Sequence, residues 1–232
     1  MEIKVLANKK AIIWDLDGTL YVETPEFKDM LDEATAWALI KDLGLNLDFE
    51  TTKNLVKESY KQYRYGSKIF IRDYGVDPEA LFHAYHKRKP VNVIQPTEGL
   101  VERLKELPYE QYVFTGSSRD VAEKILKHIG LYDFFENKFY SVEDFGIFAK
   151  NEDAEAYRLL CNEIGLNPQD CVLVDDSYSN LELAKETGMS TVRIFYKDNS
   201  AKDKTYIDDA YRGINAFLDA VGVQNSCKAF VG

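Results

Sequence analysis

Hydrophobic and polar positions alternate in two ways along the chain. Short apolar runs predict buried strands at 11–16, at 111–118, where the strand runs into a turn, at 171–177 and at 190–196. Residues 139–146 are predicted to be a short strand or a loop. Between and after these runs, apolar residues recur every three or four positions, which is typical of amphipathic helices. These helical segments are 99–107, 119–130, 151–165, 180–188 and 213–221. Asn151, followed by acidic residues, is expected to be the N-cap of the third of them.

Residues 21–96 show a different pattern, with helical periodicity and no strand. The predicted helices are 26–43, 50–64, 68–74 and 78–87, and Gly44 is expected to end the first. The stretch "KRKPVNVIQP", residues 87–96, carries two prolines and reads as a connector. This part of the chain therefore predicts helices only.

Strands that alternate with helices predict an α/β fold, here a Rossmann-like, mainly parallel sheet flanked by helices on both faces. We expect residues 1–20 and 97–232 to form this α/β core. Residues 21–96 would be an inserted all-helical domain.

Composition and charge narrow the possible functions. The chain has 232 residues and a formal net charge of −10, which argues against general nucleic-acid binding and against an anionic membrane surface. No run reaches the ~18–20 apolar residues of a membrane span. Three cysteines without a CxxC pair favour reduced thiols and a cytoplasmic protein. The oligomeric state cannot be read from this sequence.

Two of the predicted strands end in acidic side chains. The apolar run Ile12-Ile13-Trp14 ends in Asp15 and Asp17, and the run that starts at Cys171 ends in Asp175 and Asp176. Because ligands of open parallel sheets lie outside the carboxyl ends of the strands, we expect these acids to share one crevice. So many carboxylates need a cation, and oxygen ligands without His or Cys favour Mg²⁺.

A phosphate group would fit the same crevice. Thr115 and Gly116 end the apolar run Tyr112-Val113-Phe114. They offer a hydroxyl and close backbone approach, and the amides that follow open a helix. A carboxylate such as Asp15 can be a nucleophile, and a second one two residues on, Asp17, can act as general acid and base. Lys150 is the best-placed lysine to balance the charge.

Together these motifs resemble the haloacid dehalogenase superfamily of phosphatases. The resemblance covers residues 11–195 and has four motifs in the family's order: the strand ending in Asp15 to Thr19, Thr115, Lys150, and the pair Asp175-Asp176. The all-helical segment stands where that family has its helical cap.

The resemblance implies a role for each motif residue. Asp15 would be the nucleophile and Asp17 the acid and base, while Thr115 and Lys150 would hold the phosphoryl group. Mg²⁺ would be bound by the Asp15 carboxylate, the Asp17 backbone carbonyl and Asp175, with Asp176 acting through water. An acid at position 17 indicates phosphate chemistry, because the true dehalogenases of this superfamily lack it.

Finer features are similar to the pyrimidine 5′-nucleotidase branch, among them "DLDGTLY" and a Tyr65-Gly66 pair in the cap. Where that family usually has Lys-Pro and often Thr-Asn, this chain has Lys150-Asn151 and Thr115-Gly116. The sequence thus predicts a Mg²⁺-dependent phosphatase of a small phosphorylated metabolite, with a nucleoside 5′-monophosphate favoured. The alternatives are a sugar-phosphate phosphatase or phosphomutase, or a non-catalytic binding module.

The helical segment also carries a basic stripe. Residues 53–72 hold six cations against Glu58 alone: Lys53, Lys57, Lys61, Arg64, Lys68 and Arg72. The stripe is either a solvated helix face or a grip for an anionic substrate. The interleaved Tyr60, Tyr63 and Tyr65 would be helix-bundle core or a platform for a base. His83, His86 and His128 are expected to be structural or surface residues.

Overall fold

The computed structural model describes residues 4–63, 66–147, 149–196 and 204–229, with backbone alone for 223–229. The chain divides into two compact units, one of residues 1–22 and 95–232 and the other of residues 23–94. The sequence placed these junctions at 20/21 and 96/97.

The second unit contains four α-helices and no strand among its described residues. They are α1 (Pro25–Trp37), α2 (Phe49–Tyr63), α3 (Lys68–Tyr74) and α4 (Pro78–Arg88). α1 continues as a π-helical turn, Ala38–Asp42, and Gly44 follows with a left-handed φ of +71°. Thr24 and Asp77 cap α1 and α4 by accepting hydrogen bonds from the backbone, as short oxygen-bearing side chains do.

A small apolar core holds these helices together. Leu39, Val56, Phe70 and Leu81 are buried against one another, one from each helix or its extension. These four residues come from elements whose apolar positions follow helical spacing, so the core is the shared inner face of the bundle. Arg64 and Tyr65, which the sequence placed here, lie outside the described residues.

The described residues of the first unit form a six-stranded sheet, and each strand pair in it is parallel. The strands are β1 (Ala11–Trp14), β2 (Glu110–Thr115), β3 (Phe139–Ser141), β4 (Cys171–Asp175), β5 (Ser190–Phe195) and β6 (Asp209–Arg212). Their order is β3-β2-β1-β4-β5-β6, so β1 lies at the centre between β2 and β4. The α/β prediction is confirmed.

Helices connect these strands. They are α5 (Leu100–Lys105), α6 (Arg119–His128), α7 (Tyr132–Phe135), α8 (Ala149–Glu152), α9 (Glu155–Glu163), α10 (Tyr178–Glu186) and α11 (Ile214–Ala229). Their apolar faces and the central strands form a buried core that includes Trp14, Phe114 and Phe217. Among the described residues, the helices fall short of the length and apolar character required to cross a membrane.

The expected cap at Asn151 is wrong. Asn151 lies inside the short helix α8, and α9 begins at Glu155. The backbone N–H of Glu155 donates to the Asp153 carboxylate at 2.8 Å. The separate turn of α8 has a physical reason: it carries Lys150, whose side chain is buried, and the chain changes course before α9 starts.

Candidate active site

The sheet brings the polar ends of β1, β2 and β4 to one edge. Trp14, the last residue of β1, lies beside Val113 of β2 and Val174 of β4. The backbone N–H of Asp15 extends this pairing by donating to the Val174 carbonyl at 2.9 Å. Since all three strands run the same way, the residues that follow them converge on one place.

A buried lysine lies between two buried aspartates at this edge. Lys150 Nζ donates to Asp15 Oδ1 and lies 3.1 Å from Asp175 Oδ2. The three side chains come from α8 and from the ends of β1 and β4. The hydroxyl of Tyr157 donates to the Lys150 backbone carbonyl at 2.9 Å and so holds α8 in place. The lysine expected from sequence is therefore in contact with the expected nucleophile.

Burial shifts the titration of these groups. Desolvation, and then the charge of Asp175, raise the pKa of the Asp15 carboxyl well above its usual range, although Lys150 opposes the shift. The pKa of Lys150 is also raised, since Asp15 and Asp175 outweigh its burial. One ammonium thus faces more negative charge than it can balance, and an added cation would relieve that excess.

Three carboxylates form a group suited to a metal ion. Asp15, Asp175 and Asp176 each offer one oxygen, and these atoms lie within 4.8 Å of one another. Asn180 Nδ2 donates to both oxygens of Asp175, at 3.2 and 3.1 Å, and the Ser177 N–H donates to one at 2.8 Å. The donor set, all oxygen and rich in charge, fits Mg²⁺.

Gly18 makes room for this group. Its φ is +81°, and a Cβ built there would lie 2.8 Å from Asp176 Oδ2, closer than real Cβ atoms come. Any other residue would suffer the left-handed strain and would also displace the Asp176 carboxylate.

Asp17 is oriented differently from the other three acids. Its Oδ1 accepts from the Tyr21 hydroxyl at 2.5 Å. Its Oδ2 accepts from the hydroxyls of Ser117 at 2.7 Å and Thr115 at 3.2 Å. The structure therefore brings three of the four predicted carboxylates together, and the side chain of the fourth is held by hydroxyl groups.

Thr115 and Gly116 lie where the sequence placed them, at the end of β2. Thr115 is fully buried, and its hydroxyl accepts from the Ser117 N–H at 3.0 Å. A Cβ built on Gly116 has no neighbour within 4 Å, so the space beside this residue is open. Of the amides expected to bind an anion, that of Ser117 is used by Thr115 and that of Arg119 by Glu143.

Sequence reasoning missed four residues of the site: Tyr21, Ser117, Tyr157 and Asn180. Two of them stand inside quoted motifs, Tyr21 in "DLDGTLY" and Ser117 in "TGSS". A buried polar residue next to a motif was the available signal, because such a group needs a partner. Tyr157 and Asn180 lie in helices, and their sequence pattern is that of an ordinary amphipathic helix.

The basic stripe of the helical unit is largely paired with acids. Lys53 contacts Asp29 and Glu33, both at 2.8 Å, and Lys57 contacts Asp29 at 2.7 Å. Arg72 contacts its neighbour Asp73. These pairs favour the solvated helix face over the substrate grip for the three cations concerned.

The same unit contains a partly open cavity of about 400 Å³. Its lining includes the rings of Tyr60, Phe82 and Tyr85 beside the charged Lys57 and Asp32. Tyr60 is half exposed, so the prediction that it belongs to the bundle core is wrong. The helical spacing of Tyr60 favoured a place in the bundle core, but its ring lines the cavity and is partly exposed to solvent.

The structure describes His86 and two of the three cysteines as buried residues. Within the described residues, the one group of potential metal ligands contains no histidine, and His86 is buried with Nδ1 2.8 Å from the Phe82 carbonyl. Cys161 and Cys171 are free, buried thiols. The side chain of Cys227 lies outside the described residues.

Comparison with known proteins shows the family of the chain. The family model of haloacid dehalogenase-like hydrolases matches residues 9–188. The chain is 30% identical to glyceraldehyde 3-phosphate phosphatase of Methanocaldococcus jannaschii over 231 residues, covering 91% of this chain and 96% of that enzyme. It is 23% identical to pyrophosphatase PpaX of Bacillus velezensis, covering 87% and 90%.

A solved structure of a hydrolase from Pseudomonas syringae has a similar fold. The TM-score is 0.66 at 16% sequence identity, and the match covers 93% of this chain and 99% of the other. At this identity the likeness concerns the fold, which places the strand ends described above in a known architecture.

Proposed function

Because the chain belongs to the haloacid dehalogenase-like hydrolases and is a phosphoric monoester hydrolase, we propose that it cleaves a small phosphorylated metabolite through an aspartyl-phosphate on Asp15. One observation carries this proposal. The Lys150 ammonium lies between the buried Asp15 and Asp175, and a second acid, Asp17, follows two residues after the first. A carboxylate held this way can attack phosphorus, with an acid available for the leaving group.

The proposed reaction has two steps. An Asp15 oxygen forms a bond to phosphorus, the ester P–O bond breaks, and Asp17 gives a proton to the departing oxygen. Asp17 then takes a proton from water, whose oxygen attacks the phosphorus and releases Asp15 and phosphate. Asp17 is thus acid in the first step and base in the second.

Lys150, Thr115 and Gly116 are proposed to bind the phosphoryl group. Lys150 supplies a positive charge beside Asp15, and the open space at Gly116 gives a phosphoryl oxygen access to the backbone. Asp15, Asp175 and Asp176 would hold Mg²⁺, with the Asp17 backbone carbonyl as a further candidate ligand. When bound, the ion would add positive charge that offsets the charges of the carboxylates and of the phosphate.

For the substrate, we favour a sugar phosphate of few carbons. The support is the relative at 30% identity that is named for glyceraldehyde 3-phosphate, which covers nearly the whole chain. A phosphomutase uses the same first step but returns the phosphoryl group to the substrate, and product analysis separates the two.

A nucleoside 5′-monophosphate is the second candidate, and a specific observation favours it. The cavity of the helical unit has the volume of a small-ligand site and three aromatic rings in its lining. Such rings can stack on a base. The sequence resemblance to pyrimidine 5′-nucleotidases points the same way.

The deciding experiment compares wild type, Asp15→Asn and the surface variant Asp29→Asn on a panel of phosphate esters. Glyceraldehyde 3-phosphate, phosphoglycolate, pyrimidine nucleoside 5′-monophosphates and p-nitrophenyl phosphate are each assayed with Mg²⁺ and with EDTA. We expect Asp15→Asn and EDTA to abolish phosphate release and Asp29→Asn to retain it. The ester with the highest kcat/KM identifies the substrate class.

Two results would contradict the proposal. Equal phosphate release by wild type and Asp15→Asn would exclude the covalent route. Acid quenching of wild type with ³²P-labelled substrate is expected to trap label on the protein, and Asp15→Asn should trap none. A wild type that turns over substrate without trapped label at any quench time would point to direct attack by water.

A further inference from the structure

Tyr21 is a buried tyrosine whose hydroxyl donates a hydrogen bond to a carboxylate of the candidate site. The side chain is fully buried, and its hydroxyl donates to Asp17 Oδ1 at 2.5 Å. Burying a phenol hydroxyl is unfavourable unless it is hydrogen-bonded, and phenylalanine would fill nearly the same volume without that penalty. Packing therefore explains the ring of Tyr21 but does not explain why this buried position carries a hydroxyl.

The chain between the two residues folds back to make this contact. Gly18 adopts a left-handed φ, and the N–H groups of Thr19 and Leu20 donate to the Leu16 carbonyl at 3.4 and 3.1 Å. This turn returns Tyr21 to the side chain of Asp17, four residues earlier. The contact is thus set by the backbone that also positions Asp15 and Asp17.

The two oxygens of Asp17 are held by different parts of the chain. Tyr21 holds Oδ1 from the segment after β1, and Ser117 and Thr115 hold Oδ2 from the end of β2. Asp17 itself is partly exposed, so packing alone does not fix its side chain. Held at both oxygens, the carboxylate loses the freedom to turn about its side-chain bonds.

We propose that Tyr21 is a positioning residue that fixes the Asp17 carboxylate for proton transfer to the leaving oxygen. This proposal rests on the proposed function, in which Asp17 acts as acid and base. A proton donor acts well when it is held in the geometry of the reaction, and a small misplacement lowers the rate sharply. Tyr21 touches neither phosphate nor metal in this scheme and acts through Asp17.

The test is Tyr21→Phe, assayed on two esters that differ in their need for a proton. p-Nitrophenolate is a stable anion and leaves without protonation, whereas an alkoxide such as that from glycerol 1-phosphate needs the proton. The measured quantity is kcat/KM, which covers the steps up to the aspartyl-phosphate and leaves out the second step, where Asp17 acts on water for both esters alike. We expect kcat/KM on the alkyl ester to fall by about tenfold or more, the effect of losing one hydrogen bond to a charged group. On p-nitrophenyl phosphate we expect kcat/KM to fall by less than about threefold.

Tyr196→Phe is the matched control. This tyrosine is also partly buried, and its hydroxyl lies 3.5 Å from the Thr19 carbonyl, on the same turn. We expect this variant to hydrolyse both esters like wild type. It separates a specific effect on Asp17 from a general effect of losing a hydroxyl near the turn.

Several outcomes would overturn the proposal. An equal fall in kcat/KM on both esters, or no change in kcat/KM on the alkyl ester, would each exclude positioning of the acid for the leaving oxygen. A Tyr21→Phe protein that does not fold would also exclude it, because the hydroxyl would then serve stability. Failure of the proposed function gives a different result, in which wild type itself hydrolyses neither ester.

Discussion

Two lysines of this molecule each contact a pair of acids, and their surroundings differ. Lys150 contacts Asp15 and Asp175 in the α/β unit, where the three side chains are 1%, 6% and 0% exposed. Lys53 contacts Asp29 and Glu33 in the helical unit, where the lysine is 13% exposed and the acids 48% and 44%. The contacts are of the same kind, but the acids of the first group are removed from water.

The two groups show opposite pKa shifts. Hydrogen bonds from Lys53 and Lys57 lower the pKa of Asp29 to about 2. In the other group, desolvation and Asp175 raise the pKa of Asp15 in spite of Lys150. A neighbouring lysine thus does not fix the direction of the shift, because solvent decides how strongly each charge is felt. The group around Lys150 therefore holds more negative than positive charge away from water, whereas solvent screens the charges of the group around Lys53.

The largest effect is expected from Lys150→Met. It leaves two buried carboxylates without their cation, which destabilises the fold by about 3–5 kcal/mol. It also removes a charge from the phosphoryl site, which lowers kcat by about 100-fold or more. Urea unfolding and phosphate release measure the two effects.

Lys53→Met is the matched change at the exposed group. It removes the same charge from between two acids, and we expect activity and urea midpoint close to wild type. If the two variants lost equal stability, burial would not be the property that distinguishes the groups.

A smaller effect is expected from Gly18→Ala, with Gly44→Ala as its control. Both glycines have positive φ, so alanine adds strain of about 1–2 kcal/mol at either position. The new methyl group meets Asp176 at residue 18 and has no neighbour within 4 Å at residue 44. We therefore expect the Mg²⁺ concentration for half-maximal activity to rise about tenfold in Gly18→Ala alone.

The same Mg²⁺ requirement in both glycine variants would argue that Asp176 does not contribute to the metal site. Comparing the variants at equal folded fraction removes the shared loss of stability from this measurement.

The smallest effect is the pH dependence of the exposed group. The pKa of Asp29 is about 2 in the fold against an ordinary value of 3.8, so its contribution to stability is present above pH 4. It is lost as the pH falls from about 4 towards 2, where the carboxyl protonates in both states. Thermal unfolding of wild type and Asp29→Asn should therefore differ at pH 6 and converge near pH 2. A stability difference between wild type and Asp29→Asn that stayed constant from pH 6 to pH 2 would show that it does not come from the ion pairs of Asp29.

Much of the fold follows from local patterns in the sequence. The apolar runs of β1, β2, β4 and β5 are long enough to be recognised, and the helices of the second unit have clear periodicity and caps. β6 was not predicted, because "DAYR" is short, half-exposed and without an apolar run. A strand at the edge of a sheet is defined by its neighbour, here β5, and carries little signal of its own.

The site divides in the same way. Parallel topology brought together Asp15, Asp175 and Asp176 as expected, since the direction of the strands fixes where their ends lie. The orientation of Asp17 could not be predicted, because it depends on hydroxyls from two distant segments. Lys150 was recognised by type and position, but its place inside a separate short helix, rather than before a capped one, depends on tertiary packing.

The central position of β1 has a consequence for synthesis of the chain. β1 is made first among the strands, yet both strands that flank it, β2 and β4, are made much later. Gln111 of β2 follows Trp14 of β1 by 97 residues, which takes on the order of ten seconds at about 5–20 residues per second. During that interval a fully apolar strand has two unpaired edges and is a template for association with other chains.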